Sequence, residues 1–466
     1  MSSAAQAPTI TAFDPSSFKT FRFIDRMLEA DGTVRLRYGL DELEFEETFT
    51  LPLPAAGVQT PPQTLDGILD LLHWVTGVSY YKAAIPPTIV FEGNQPGPAT
   101  LALLTALYTE GLGEFAVVND LPDLPRPTFS DGARGSNNTT LSCGNRPAEV
   151  TGDQLRRLLV PVGGGKDSAV AIEIARRSGL DVTLFSIGDA TPIHETARVS
   201  GYDKLTATRK IDPLLLEANA AGALNGHIPV TAIVSSVALL TAALNGQDAV
   251  ALANERSASA GTMIWHGIEV NHQFSKSLRV ERLLSAAVDE IPDAPAIFSI
   301  LRPASELAIA RAFARFTEYH PVFTSCNRVF KLDPAQRATS WCCDCDKCRF
   351  VFLILAPFMT PGHLTGILGQ DLLDDPQQYE GFALLTASGG EKPFECVGEV
   401  DECLAAIRLL SEDPRWRDHA VVKRLGVEIP AVAQTTEAQI GEHFALSSDH
   451  NVPAELMGAV NEVLGA

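Results

Sequence analysis

The chain carries little positive charge for its size, with 36 Lys and Arg against 57 Asp and Glu in 466 residues and a formal net charge of −21. That balance argues against a nucleic-acid backbone or an anionic membrane surface as the main partner, because both are repelled. Cysteine is sparse as well: eight in a chain this long do not make a disulfide scaffold. No stretch reaches the roughly 18 apolar residues of a membrane span. The longest, residues 232–244, carries two Ser and a Thr. The opening MSSAAQAPTITAFDPSS lacks a basic start followed by an apolar stretch, so no secretion signal is expected. Repeats and low-complexity tracts are absent too. The expectation is a soluble, cytoplasmic protein whose 45% hydrophobic content fills the cores of two or three domains.

What charge there is falls unevenly. Residues 1–150 hold 9 basic and 18 acidic side chains, residues 151–370 hold 21 of each, and residues 371–466 hold 6 and 18. The neutral middle is where anionic ligands are expected. The texture changes along the same divisions. Residues 21–24, 33–38 and 43–49 alternate with period two and predict an antiparallel meander, followed by a helix over 64–81. A Pro-, Gly-, Ser- and Asn-rich stretch at 121–147 predicts a linker. Beyond it, short apolar runs at 158–162, 182–187, 230–234 and 249–253 read as buried strands separated by helical lengths, with Gly179 closing the first helix. The fold class is therefore α/β, a parallel doubly wound sheet with a β-rich N-terminal domain and a helical C-terminal segment, including a helix over 399–410. The predicted divisions are 1–135 (α+β, substrate recognition), 136–370 (nucleotide-binding and catalytic) and 371–466 (acidic, mostly helical).

The sharpest feature is LVPVGGGKDS at 159–168. A buried strand runs into Gly163, Gly164 and Gly165, and a helix is expected to begin near Ser168. Glycines there turn backbone N–H groups toward one point, and the helix N-terminus adds partial positive charge, which makes an anion site. A Walker A loop is ruled out twice, by Val160 where Gly is needed and by Asp167 after Lys166. The dinucleotide fingerprint G-x-G-x-x-G ends on Ser168 instead of Gly, and Asp167 would repel a pyrophosphate in that mode.

Two further clusters lie downstream. Asn254, Glu255 and Arg256 come directly after an expected strand, where open parallel sheets place their ligands, and His272 and Lys276 lie in NHQFSKS. An acid beside an Arg suits Mg²⁺ and a substrate carboxylate together; a helix cap with a solvated loop is the plainer reading. Cys342, Cys345 and Cys348, with Cys326 upstream, have spacing that suits a structural Zn²⁺. Simple packing of reduced thiols, or a thiol acting as acid and base, are the alternatives.

Residues 163–168 resemble the S-G-G-x-D-S signature of the PP-loop ATP pyrophosphatases, with Gly163 in place of the first Ser. The resemblance implies ATP cleavage between the α- and β-phosphates. Gly163, Gly164, Gly165, Ser168 and Ser186 would bind nucleotide together with Lys166 and Asn254, while Asp167 and Glu255 hold Mg²⁺. The tRNA-modifying members need a basic face that this chain lacks. The glutamine-dependent members need a nucleophilic Cys that neither Ser2 nor a G-x-C-x-G elbow supplies.

The strings VGGGKDS, ANERSAS, NHQFSKS, CDKCRFVFLIL and KPFECVGEVDE, with SYYKA at 79–83 and GLGEF at 111–115, are similar to the ATP-dependent UDP-N-acetylmuramoyl-L-alanyl-L-glutamate epimerases of bacterial cell-wall synthesis. The likeness runs from about residue 20 to about residue 405. It implies epimerisation of a terminal L-Glu through a carboxyl-adenylate, with AMP and pyrophosphate released. The small-molecule substrate would be a nucleotide-sugar dipeptide. Asp167, Glu255, Arg256, His272, Lys276 and Cys396 are the catalytic candidates, and Glu255, His272, Lys276 and Cys396 compete as the Cα base. Cys396 stands between acids that raise its pKa, so it needs a basic neighbour from elsewhere. A ligase like the 7-cyano-7-deazaguanine synthases, some of which carry a similar zinc knuckle, and a non-catalytic nucleotide-binding protein are the alternatives.

Overall fold

The computed structural model describes residues 10–53, 57–131, 155–331, 334–388 and 392–465. The chain divides into two compact units. One comprises residues 1–146, 207–246 and 286–294; the other comprises 147–206, 247–285 and 295–466. The acidic C-terminal segment thus belongs to the same unit as the glycine loop, and residues 207–246 return to the N-terminal unit. The expected boundary at 135/136 lies outside the described residues.

In the first unit the predicted meander forms. Strands Thr20–Leu28, Thr33–Leu40 and Leu43–Thr50 pair antiparallel, with Phe21 opposite Leu40 and Leu36 opposite Glu47. Residues 208–210 add antiparallel at one edge, and Thr88–Phe91 and Thr128–Asp131 add parallel at the other. Alternation puts Phe21, Phe23, Tyr38, Phe45 and Phe49 on the buried side, where they meet Tyr80, Tyr81, Phe91 and Tyr108 in stacked and edge-on pairs. Helix Pro62–Thr76 covers them and packs on helix Val230–Asn245.

Two sequence expectations are corrected here. Residues 230–234 are the first turns of helix Val230–Asn245, not a strand. An apolar run buried on all sides has no visible period, and only its length separates helix from strand. The stretch Pro98–Val118 is long and apolar enough to cross a membrane by length and composition, with 56% of its most apolar window buried. Its scattered Thr, Tyr and Glu hide it from a search for unbroken apolar runs.

The second unit carries a parallel sheet in the order Ala296–Ser299, Ala249–Leu252, Arg157–Pro161, Asp181–Ile187. The first strand in sequence, Arg157–Pro161, lies inside this order. The chain therefore leaves it toward one side, to Asp181–Ile187, and later fills the other. This reversal falls at the carboxyl ends of Arg157–Pro161 and Ala249–Leu252, the place where open parallel sheets form their ligand crevice. Helices Lys166–Arg177, Glu306–Phe313, Asp346–Leu355 and Val400–Glu412 bury their apolar faces in one continuous core with these strands. The last of them starts one residue later than the predicted 399, with Glu399 as N-cap in a capping box with Glu402.

Candidate active site

The segments leaving the carboxyl ends of the strands build the crevice. After Arg157–Pro161 the three glycines make the turn. Gly164 has φ +79°, and a Cβ there would sit 2.7 Å from the Pro192 carbonyl carbon. The loop therefore demands glycine twice over, for conformation and for space. Gly165 is the N-cap of helix Lys166–Arg177, which begins two residues earlier than the expected Ser168. The Gly163 N–H donates to the Ser168 hydroxyl at 2.8 Å. Ser168 thus closes the loop on itself.

Three carboxylates converge in this crevice. Oxygens of Asp167, Glu255 and Glu306 all lie within 4.8 Å of one another. Each comes after a different strand: Asp167 opens the helix after the glycine loop, Glu255 succeeds Ala249–Leu252, and Glu306 heads the helix after Ala296–Ser299. Glu255 and Glu306 are 3% and 2% exposed, so their mutual repulsion is not relieved by water. Lys166, itself 1% exposed, relieves it by pairing with Asp167 at 2.5 Å and also with Glu306. Burial alone lowers the Lys166 pKa, but the two carboxylates overcome it and hold the ammonium charged. Burial raises the Glu306 pKa, and Asp167 and Glu255 push it further up. For Asp167 burial acts upward too, yet Lys166, Lys347 and Lys276 prevail and hold it below the ordinary value.

A second group of polar side chains completes the site. The Lys276 ammonium lies 3.5 Å from the Cys396 sulfur and 3.3 Å from Gln273 Oε1. Lys347 donates to the Cys396 carbonyl. Burial raises the Cys396 pKa, but Lys276, a hydrogen bond from His272, and Lys347 together bring it down to about 6. The basic neighbours that offset the acids flanking Cys396 are thus supplied by two distant segments. Lys276 stays protonated although burial lowers its pKa, because Cys396, Glu255, Asp167 and Glu306 raise it.

Arg302 frames this arrangement. It is 1% exposed and pairs with buried Glu281 through Nε and Nη2 at 3.0 and 2.9 Å. Its remaining donors go to the carbonyls of Glu255 and Lys276, both at 2.5 Å. One guanidinium thereby fixes the backbone of two separate site segments, a use of its planar fork that Lys has no means to copy.

The other predicted residues are more dispersed. The Asn254 amide donates to the Ser299 hydroxyl at 3.2 Å, between neighbouring strand ends. Ser186 donates to the Gly188 carbonyl at 2.8 Å and receives Lys204 at 3.3 Å, beside a Lys204–Asp189 pair of 2.6 Å. Arg256 donates to the Ala445 carbonyl at 3.2 Å and forms no ion pair with the three carboxylates among the described residues. Sulfurs of Cys326, Cys342, Cys345 and Cys348 form their own cluster, all within 4.8 Å of one another. Sequence reasoning does not find Glu306, Lys347, Arg302 or Glu281. None belongs to a motif with a chemical reading of its own, although Lys347 lies inside CDKCRF.

A magnesium ion binds oxygens at about 2.1 Å, so ligands around it lie roughly 3 to 4 Å apart. The three carboxylates need to close only slightly to hold one. They fit that ion.

The MurL N-terminal domain family matches residues 12–300 and the MurL C-terminal domain family matches residues 322–440. A protein of Salinispora tropica named UDP-N-acetyl-alpha-D-muramoyl-L-alanyl-L-glutamate epimerase is 47% identical over 405 residues, which cover 85% of each chain. A protein of the same name from a Micromonospora species is 45% identical over 420 residues, 88% of this chain and 90% of that one. Another from Xanthomonas oryzae pv. oryzae is 39% identical over 451 residues, 96% and 98% of the two chains. No solved structure matches. Matched along almost its whole length by domains and relatives of one kind, the chain belongs to the MurL family.

Proposed function

We propose that this protein is an isomerase that epimerises the terminal L-Glu of UDP-MurNAc-L-Ala-L-Glu to D-Glu in peptidoglycan precursor synthesis. The names of its relatives support that reaction. We further infer that it uses ATP, passes through a carboxyl-adenylate and releases AMP and pyrophosphate. Removing a proton from the Cα of a free carboxylate makes a dianion and is very unfavourable. Converting the carboxylate to an acyl-adenylate cancels that charge and turns the carbonyl into an electron sink.

The observation that carries this reading is one crevice holding both kinds of machinery. The glycine loop with Lys166 suits a polyphosphate, and Cys396 beside Lys276 suits a carbon acid. Asp167, Glu255 and Glu306 would hold Mg²⁺, which supplies charge neutralisation at the phosphates. Gly164 and Gly165 present backbone N–H groups, while Ser168 takes the Gly163 N–H and fixes the turn. Cys396 is the base in this reading. Its thiolate takes the Cα proton, so that Cα–H breaks, S–H forms and the electron pair moves onto the acyl oxygen. Lys276 keeps the thiolate charged. At 3.5 Å from the same sulfur it shares a face with Cys396, so the proton that creates the D-centre arrives from a different group on the opposite face. Hydrolysis then frees the carboxylate and AMP.

Incubation with Mg-ATP and the UDP-muramoyl dipeptide in deuterated water tests the whole sequence. Substrate-dependent AMP and pyrophosphate with deuterium at the Glu Cα are expected. AMP without Cα exchange sinks the epimerase reading, and exchange that persists without ATP sinks the adenylate.

A further inference from the structure

The four clustered thiols stand apart from the proposed reaction, which gives them no role. Cys342 and Cys348 sulfurs stand 3.7 Å apart, and none of the four is in a disulfide. A tetrahedral zinc ion with Zn–S near 2.3 Å sets its sulfurs about 3.8 Å apart. The Cys342–Cys348 pair is already at that spacing, and all four sulfurs lie within 4.8 Å of one another. The fifth cysteine of the run is turned out of it: Cys343 has φ +56° and donates its S–H to the Leu368 carbonyl at 3.3 Å. Cys326 and Cys348 are fully buried, so the ligand set is closed on one side, as in structural sites with no open coordination position.

The segments that carry these ligands also touch the crevice. Thr324 donates its N–H to the Gly164 carbonyl at 2.9 Å. The Ser325 hydroxyl lies where a Cβ on Gly165 would come within 2.6 Å of it, and Cys326 is the next residue. On the other side Lys347 stands between ligands Cys345 and Cys348, at the start of helix Asp346–Leu355, and reaches the Cys396 carbonyl. Between Thr324 and that helix the described residues form only short 3-10 turns, Asn327–Phe330 and Pro334–Gln336. Regular structure does little to fix this stretch. A metal cross-link would do so, since its binding free energy becomes folding free energy.

We propose that Cys326, Cys342, Cys345 and Cys348 hold one zinc ion that positions the catalytic crevice, fixing residues 324–325 under the glycine loop and Lys347 against the Cys396 backbone. The zinc takes no part in the chemistry. It sets where two groups that do take part are held.

The full chain, purified under reducing conditions without added metal, should contain one zinc per chain by elemental mass spectrometry. Cys342→Ser should lower zinc occupancy, while Cys343→Ser should keep both zinc and activity. Lys347→Met separates positioning from folding. It should retain one zinc, lose roughly 10- to 100-fold in Cα exchange, and move upward the pH midpoint for iodoacetamide labelling of Cys396, followed by peptide mass spectrometry. Stripping zinc with a chelator should weaken binding of a fluorescent ATP analogue and move the same midpoint, and re-added zinc should restore both. Iron in place of zinc, no metal, or a stripped protein with unchanged nucleotide binding and unchanged Cys396 midpoint would each overturn the proposal. Metal content, nucleotide binding and labelling need no epimerase substrate, so their failure is distinguishable from failure of the proposed reaction.

Discussion

A pair in the N-terminal unit and a cluster in the glycine-loop unit bury charge in opposite ways. In the N-terminal unit Glu47 is fully buried and meets one partner of opposite sign, Arg209, at 2.5 Å. Arg209 is further held by the Ser79 hydroxyl at 2.9 Å and by the Phe49 ring. The nearby buried imidazole, His73, is kept neutral, its pKa lowered to about 4 because burial disfavours the charged form. The glycine-loop unit instead gathers three carboxylates within 4.8 Å and threads Lys166, Lys276 and Lys347 among them. Like charges brought together in a dry crevice cost stability, and such arrangements concentrate where chemistry needs them. The one-to-one pair of the first unit belongs to the fold; the crowded cluster of the second belongs to function.

That contrast is open to attack. Asp167→Ala should cut pyrophosphate release by more than about 1,000-fold, the scale set by losing electrostatic stabilisation of a transferring group, while the protein still folds, because Lys166 keeps its second carboxylate partner, Glu306. Surviving activity would break the assignment of the loop. Glu47→Gln should do the reverse. Leaving Arg209 buried without its carboxylate should lower unfolding free energy by about 3–5 kcal/mol, read by urea titration, while kcat per folded molecule stays at the parent value.

Cys396→Ser sharpens the comparison within the crevice. Cα exchange should fall by at least roughly 100-fold, the usual worth of a positioned base, while substrate-dependent AMP formation continues. Parallel loss of both would remove Cys396 from the base role. The smallest expected effect is a shift in pH dependence. With a thiol pKa of about 6, exchange should rise as pH increases through 6 and level off above it, because only the thiolate accepts the proton. Lys276→Met should move that rise upward toward the ordinary thiol value of 9.0. A midpoint that stays at 6 would show that Lys276 is not what holds the thiolate.

Much of this is legible in the chain, for local reasons. Alternation in 21–49 announces its strands because one face of that sheet is buried. Three glycines before Lys166 announce a turn that tolerates no side chain at Gly164. Helix Val230–Asn245 reads as a strand because burial on every side erases the period. Glu306 and Arg302 carry no local signal at all, since nothing near either residue distinguishes it from an ordinary helix cap or loop cation. Cys396 illustrates the limit most clearly: its sequence neighbours are acids that argue for a neutral thiol, whereas its neighbours in space are cations.

The sequence by itself determined the meander strands and those at Arg157–Pro161, Asp181–Ile187 and Ala249–Leu252, the glycine loop, the family and the neutrality of residues 151–370 within a chain of net charge −21, because each depends on residues adjacent along the chain or on simple counts. The tertiary structure alone decided which charges meet. Glu255 and Glu306 join Asp167, and Lys276 reaches Cys396 across 120 residues, because parallel strands gather at one edge of the sheet the loops that the chain separates. Electrostatic interaction falls with distance in space and takes no account of separation in sequence.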